Sequence, residues 1–217
     1  GLLKLMNSYL IESLDSLSLL KERKRIIKEN SFEEAFCNTY DLEEVPLENA
    51  LEDLDTYSFL SEKKVIIIEN IETIKQEDFK EELNHLLKYI KNPNPDNLLI
   101  IEAHKLNNTM KLTKELKKSC TYNQVEIDNK KYIKEVLKDF KIDNSTIQFL
   151  EEYCLGDFTK IVNECNKLKS YKWDEKSITK KDIEELVVEK LGDSKDLTFA
   201  FTRALATRDK EEALKKY

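Results

Sequence analysis

Two short apolar runs constrain this chain more than anything else in it. They are Lys64-Val65-Ile66-Ile67-Ile68-Glu69-Asn70 and Asn97-Leu98-Leu99-Ile100-Ile101-Glu102-Ala103. Each is short, largely aliphatic and bounded by polar residues. A run of that kind reads as a strand covered on both faces, as in a parallel sheet with helices packed on either side. Between them lies an amphipathic segment, 78–90, with Phe79, Leu83, Leu86, Leu87 and Ile90 at helical spacing, closed by Asn92-Pro93-Asn94-Pro95-Asp96. Strand, helix, strand in that order predicts a right-handed parallel crossover.

The same alternation extends in both directions. Residues 8–13 predict a first strand, and Ser16 is a candidate cap for the helix after it. Leu17, Leu20, Lys24 and Ile27 fall on one face of that helix, with Leu19, Arg23 and Ile26 beside them. Residues 34–42 predict a second strand or extended segment. Pro46 suits a helix start, followed by the stripe Leu47, Ala50, Leu51 and Leu54. A helix over 109–118 and a short strand over 122–127 complete an α/β domain. After Asn129 the strands stop, and 130–140, 145–153, 158–171, 179–191 and 197–217 all read as helices. The expected organisation is an α/β domain over 1–140, a small helical domain over 141–192 and the start of a further helical domain over 193–217.

A nucleotide-hydrolysing domain of this order needs a glycine-rich loop after its first strand. The glycines let backbone amides close around the phosphates, and a lysine reaches the terminal ones. Glu12-Ser13-Leu14-Asp15-Ser16-Leu17-Ser18 stands in that slot instead, and no glycine occurs between Gly1 and Gly156. A magnesium-binding Asp-Glu pair is expected at the end of the third strand, where Ile68-Glu69-Asn70 stands. Glu69 alone has no phosphate to bridge to. His85 lies on an amphipathic helix near Glu81 and Glu82, and reads as a surface residue. Cys120 and His104 have no spacing that favours a nucleophile and base, and a lone cysteine at a strand start is usually packing. The expectation is therefore no catalytic residue, no cofactor and no metal.

The net charge of −7 argues against a surface that binds DNA as a whole. Lys111, Lys114, Lys117 and Lys118 form a local basic strip, read first as the wet side of a helix. Cys37, Cys120, Cys154 and Cys165 are far apart, without the close pairs a zinc site uses, and read as buried or free thiols in a reducing cytoplasm. No stretch reaches the ~18 apolar residues that would span a membrane.

The order of these segments resembles the delta subunit of the bacterial DNA polymerase III clamp loader. The resemblance runs from the opening strand and degenerate phosphate loop, through residues 51–70 with Phe59-Leu60 ahead of the third strand, to the proline-bearing turn and strand ending at His104-Lys105-Leu106. Residues 154–168, around Gly156-Asp157-Phe158, are similar to the family's helical lid. Residues 196–215, with Phe199, Ala204-Leu205 and Glu212-Ala213-Leu214, are similar to the opening of its collar, which continues beyond Tyr217 in the family and implies an N-terminal portion. Three departures from the sibling subunits fit delta. Thr159 stands where AAA+ lids often place an arginine. Lys118-Ser119-Cys120 replaces an arginine finger. A zinc-binding cysteine cluster is absent.

The resemblance implies an AAA+-like parallel sheet with flanking helices, then a lid and the start of a collar. It implies a cytoplasmic, non-catalytic subunit of a hetero-oligomer that binds and opens the sliding clamp (beta) during chromosomal replication. Its other partners would be the motor (tau/gamma) and delta-prime subunits, with primed DNA met only within the complex. The alternatives are a delta-prime-like subunit or a divergent P-loop ATPase. The implied clamp-binding residues are Tyr57, Ser58, Phe59 and Leu60. If the helix that begins after Pro46 continues, Leu60 falls nearly opposite the Leu47, Leu51, Leu54 stripe and Phe59 about a third of a turn away, both facing water. If it ends at Thr56, both can turn into the core, and the residues alone leave these two arrangements open.

Overall fold

A computed structural model describes residues 7–191, with side chains through Leu186. It separates into two compact units that divide between Ile127 and Asp128.

The first unit alternates strands and helices: β1 (Ser8–Glu12), α1 (Ser16–Glu29), β2 (Phe36–Asp41), α2 (Leu47–Asp55), β3 (Lys64–Glu69), α3 (Lys80–Lys91), β4 (Asn97–Ala103), α4 (Lys111–Ser119) and β5 (Thr121–Gln124). The strands form one sheet in the order β2-β3-β4-β1-β5, and every pairing is parallel. Ile66 pairs with Leu99 and Ile67 with Ile100. Because side chains alternate along a strand, each apolar run feeds two cores. Leu10, Ile66, Ile68, Leu99 and Ile101 pack under α2, α3 and α4. Ile11, Val65, Ile67, Leu98 and Ile100 pack on the other face with Leu19 and Ile26 of α1. The central strands are thus buried on both sides, as the sequence pattern requires. β2 is an edge strand and stays largely exposed.

Two details of α1 differ from the sequence reading. Its cap is Asp15, whose carboxylate accepts from the amides of Leu17 and Ser18. Its buried face is Leu19 and Ile26 with Arg23 between them, while Leu17 and Leu20 face solvent. Both stripes carry apolar residues at similar spacing, and the sheet selects one of them.

The second unit holds α5 (Asn129–Val136), α6 (Asn144–Tyr153), α7 (Phe158–Tyr171) and α8 (Lys180–Leu191). Its core joins Ile133, Leu137 and Phe140 to Ile147, Leu150, Ile161 and Leu168. Residues 128–140, expected within the α/β domain, therefore pack with the helical unit, because Ile133 and Leu137 bury against α6 and α7 rather than the sheet. Aspartates cap three of the helices: Asp128, Asp143 and Asp157 accept from backbone amides at the starts of α5, α6 and α7. Before α8, Thr179 N donates to Asp182 Oδ2 (2.7 Å) and Asp182 N donates to Thr179 Oγ1 (3.4 Å), a reciprocal cap. Thr179→Ala is expected to lower stability by about 1 kcal/mol, read as a lower urea midpoint by the fluorescence of Trp173, the chain's one tryptophan. The residues expected to open a collar, 193–217, lie outside the described residues.

Candidate functional site

Two features of the α/β unit bear on function. The first is the segment between α2 and β3. Helix α2 stops at Asp55, and Thr56 turns the backbone into the extended region. The Thr56 hydroxyl donates to Glu52 O at 2.7 Å. The helix end is then held from the far side of the segment by Lys64, the first residue of β3. Lys64 Nζ donates to Asp53 Oδ1 at 2.8 Å, to Thr56 O at 3.0 Å and to Asp53 O. Asp53 Oδ2 also accepts from Tyr40 Oη (2.7 Å) and Asn38 Nδ2 (2.9 Å) of the edge strand. Burial alone would raise the Asp53 pKa, but these donors, Lys64 first, hold it below the ordinary carboxylate value. Burial, and then the bond to Asp53, push Tyr40 up to about 12. On the inner side, Asn97 Nδ2 donates to Leu54 O (3.3 Å) and to Tyr89 Oη (3.0 Å).

Beyond this braced base the segment projects into solvent. Ser58 Oγ accepts from Leu60 N (3.2 Å), and Ser58 O accepts from Ser61 N (3.2 Å). Ser61 adopts a left-handed conformation with φ of 50°. Tyr57, Phe59 and Leu60 are 72%, 107% and 79% exposed, and Ser58 is exposed with them. The helix ends near Thr56, yet neither apolar side chain turns into the core. Their exposure comes from a short turn outside the helix rather than from the far face of a continued helix. Large apolar groups this exposed and this close together are uncommon on a surface without a partner.

The second feature is the crevice at the carboxyl ends of the strands. It lies where the crossovers from β1 and β4 leave in opposite directions, the usual ligand position in open α/β sheets. Asp15 Oδ1 accepts from Leu17 N and Asp15 Oδ2 from Ser18 N, both at 3.2 Å, so a carboxylate already occupies the amides a phosphate would need. Next to it, Arg23 Nε and Nη2 each donate to Glu102 at 2.7 Å, and Nη2 also donates to Glu69 Oε1 at 2.9 Å. Glu102 is buried, and that burial raises its pKa against the opposing pull of Arg23. Glu69, weighed from sequence as a metal ligand, is here an ion-pair partner.

Other candidate groups have ordinary partners. His85 Nε2 lies 2.7 Å from Asp55 Oδ2 on the surface. Burial pushes the Cys120 thiol up to about 12, which keeps it protonated and a poor nucleophile. Lys117 of the basic strip donates to Asn108 Oδ1 (2.6 Å) and sits 4.3 Å over the Tyr122 ring, whereas Lys111 and Lys114 stay exposed. Among the described residues no cluster of three or more His, Cys, Asp or Glu could hold a metal ion. Among them, too, no helix is long and apolar enough to cross a membrane.

Sequence reasoning missed the roles of Lys64, Asp15 and the Arg23–Glu69–Glu102 group. The available signals were a lysine opening an otherwise apolar strand, an arginine inside a buried helical stripe and a glutamate within a buried run.

The fold is similar to that of Thermotoga maritima RuvB. One single-substitution form of that protein matches with a TM-score of 0.52 at 14% identity, over 82% of this chain and 60% of that one. Another matches with a TM-score of 0.53 at 13% identity over the same shares. The chain thus spans about 60% of the length of these RuvB chains. The Bacillus subtilis DNA clamp loader delta protein (YqeN) matches at 24% identity with a TM-score of 0.46, over 91% of this chain and 67% of that one. No curated protein sequence matches. A family profile described as DNA polymerase III, delta subunit matches residues 9–128, more than half of the chain and almost the whole α/β unit. The chain belongs to the DNA polymerase III delta-subunit family.

Proposed function

We propose that this chain is the clamp-opening subunit of a replicative clamp loader and that it docks on the sliding clamp through Tyr57, Ser58, Phe59 and Leu60. The observation that carries this reading is the exposure of three large side chains on a turn whose base is braced and whose tip makes no core contact. An apolar pocket on the clamp would take Phe59 and Leu60 as anchors, with Tyr57 at the rim. Docking opens the clamp to the extent that the subunit binds the open form more tightly than the closed one.

The subunit contributes no ATP hydrolysis of its own. Support comes from Asp15, whose carboxylate would have to leave the α1 amides before a phosphate could approach. Motor and delta-prime subunits would supply nucleotide chemistry, with primed DNA met through its phosphates in the assembled complex. Within this reading, the helical unit that begins at Asp128 serves as the lid.

The test is surface plasmon resonance of the 217-residue chain against its cognate sliding clamp. The wild type is expected to bind, and Phe59→Ala/Leu60→Ala to bind far more weakly while keeping its circular dichroism spectrum. A folded wild type that shows no binding would remove the reading, and equal binding by both would move the contact elsewhere.

A further inference from the structure

The bonding of Lys64 bears on how the apolar turn is presented, an inference that rests on the docking reading above. An ammonium group has three donors. Those of Lys64 meet three acceptors at one helix end: the Asp53 carboxylate, the Asp53 carbonyl and the Thr56 carbonyl. Carbonyls in the last turn of a helix have no helical partner, and the helix dipole favours a cation there. Lys64 also begins β3, so it is the residue to which the exposed segment returns. One side chain therefore ties the start of the segment to its end.

Apart from Lys63, whose Nζ lies 4.9 Å from the Phe32 ring centroid and whose carbonyl accepts from Phe36 N, the rest of the segment has little else to order it. Tyr57, Phe59 and Leu60 are exposed, and the tip holds only the Ser58 turn bonds. The lysine is itself well placed for this role. Its side chain is 15% exposed and that of Asp53 is 16% exposed, so the pair is shielded from competing water and salt. Its backbone amide bonds to Asp96 O in the turn before β4, independently of the side chain.

We propose that Lys64 is a positioning residue that holds the Tyr57–Leu60 turn in its partner-ready form. It touches no partner. By pinning both ends of the segment it raises the fraction of free molecules whose turn is already formed. A ligand's apparent affinity is proportional to that fraction, and a loss of it appears in association when the competent form must be selected before contact. Loss of a contact residue acts differently, because it shortens the life of the complex once formed.

The experiment compares the wild type, Lys64→Met, Lys64→Arg and Phe59→Ala/Leu60→Ala on immobilised sliding clamp. It is paired with hydrogen exchange of residues 56–63 in the free chains. Lys64→Met is expected to exchange faster in that segment, with the β3 and β4 amides unchanged. It should bind about tenfold more weakly through a slower association rate, with dissociation near wild type. Lys64→Arg, which keeps a cation at the helix end, is expected to recover most of the association rate. The double variant is expected to dissociate faster.

Lys64→Met that associates as fast as wild type, while the double variant binds weakly, would overturn the positioning role and leave the docking reading standing. A change confined to dissociation would overturn it too, since it would make Lys64 a contact. A wild type that does not bind would overturn the docking reading and this inference with it. Should Lys64→Met unfold by circular dichroism, Asp53→Asn removes the charged acceptor from the other side and reads the same association rate.

Discussion

Replacing Arg23 with alanine is expected to cost the α/β unit about 3–5 kcal/mol, the penalty for removing one partner of a buried ion pair. The size follows from what is left behind. The Glu102 side chain is 3% exposed and takes both its short bonds from the guanidinium. Without Arg23 a carboxylate would sit at the end of β4 with no cation and little water. Glu69, more exposed, loses less. A urea titration followed by circular dichroism should show a lower midpoint, and exchange of the β3 and β4 amides should accelerate. The deficit should also depend on pH, with a definite sign. The folded Glu102 pKa already lies above its ordinary value because of burial, and Arg23 is the largest influence pulling it down. Removing Arg23 raises it further. A group whose pKa is raised by folding contributes stability below its unfolded value, and that stability is lost as pH rises through the folded value. The variant should therefore lie closest to wild type at the acidic end of the range and fall further below it as pH rises. Arg23→Met combined with Glu102→Leu removes both charges and should recover much of the loss. A deficit that did not change with pH would mean that packing of the arginine stem, rather than the stranded charge, sets the cost.

Phe59→Ala/Leu60→Ala should have the opposite profile: little effect on folding and a large one on clamp binding. Neither side chain packs in the folded chain, so the change in stability should stay within about 0.5 kcal/mol. Burial of each side chain in a partner pocket is worth roughly 1.5–3 kcal/mol. Each 1.4 kcal/mol is about tenfold in affinity, so together they predict at least about a hundredfold loss. The single variants need not sum to the double, because anchors in one pocket depend on each other. Calorimetry of the wild type should give a negative heat-capacity change on binding, the mark of apolar burial, and the double variant should lose much of it. A loss below threefold in the folded double variant would mean that these residues lie at the margin of the contact or outside it.

How far the sequence reveals this architecture depends on where the determining interactions lie. Val65–Ile68 and Leu98–Ile101 are legible because double-sided burial leaves an unbroken apolar run in a single stretch of chain. β2 is harder to read, since an edge strand needs no such run, and Phe36 at its start faces solvent. The buried face of α1 is ambiguous in sequence because Leu17 and Leu20 compete with Leu19 and Ile26, and only the sheet decides. α5 carries apolar residues that could have covered either unit, and its assignment to the helical core depends on α6 and α7. The segment proposed to dock is the least legible. Whether Phe59 and Leu60 face water depends on where α2 stops. That stop is fixed by bonds from Thr56, Lys64 and Asn97, two of which reach from later in the chain. Arg23 is obscured in the same way, since its partners lie 46 and 79 residues away.

The distribution of the cysteines has a consequence for measuring motion. Cys37 lies on the exposed edge strand, whereas Cys120 belongs to the sheet unit and Cys154 and Cys165 to the helical unit, all three buried. A thiol reagent added to the unmodified protein should therefore tag Cys37 first. It should then wait for each interior to open before it reaches the others. The lag before each later tag is a clock on the breathing of one unit, kept by natural residues, and it can be run with the clamp present or absent.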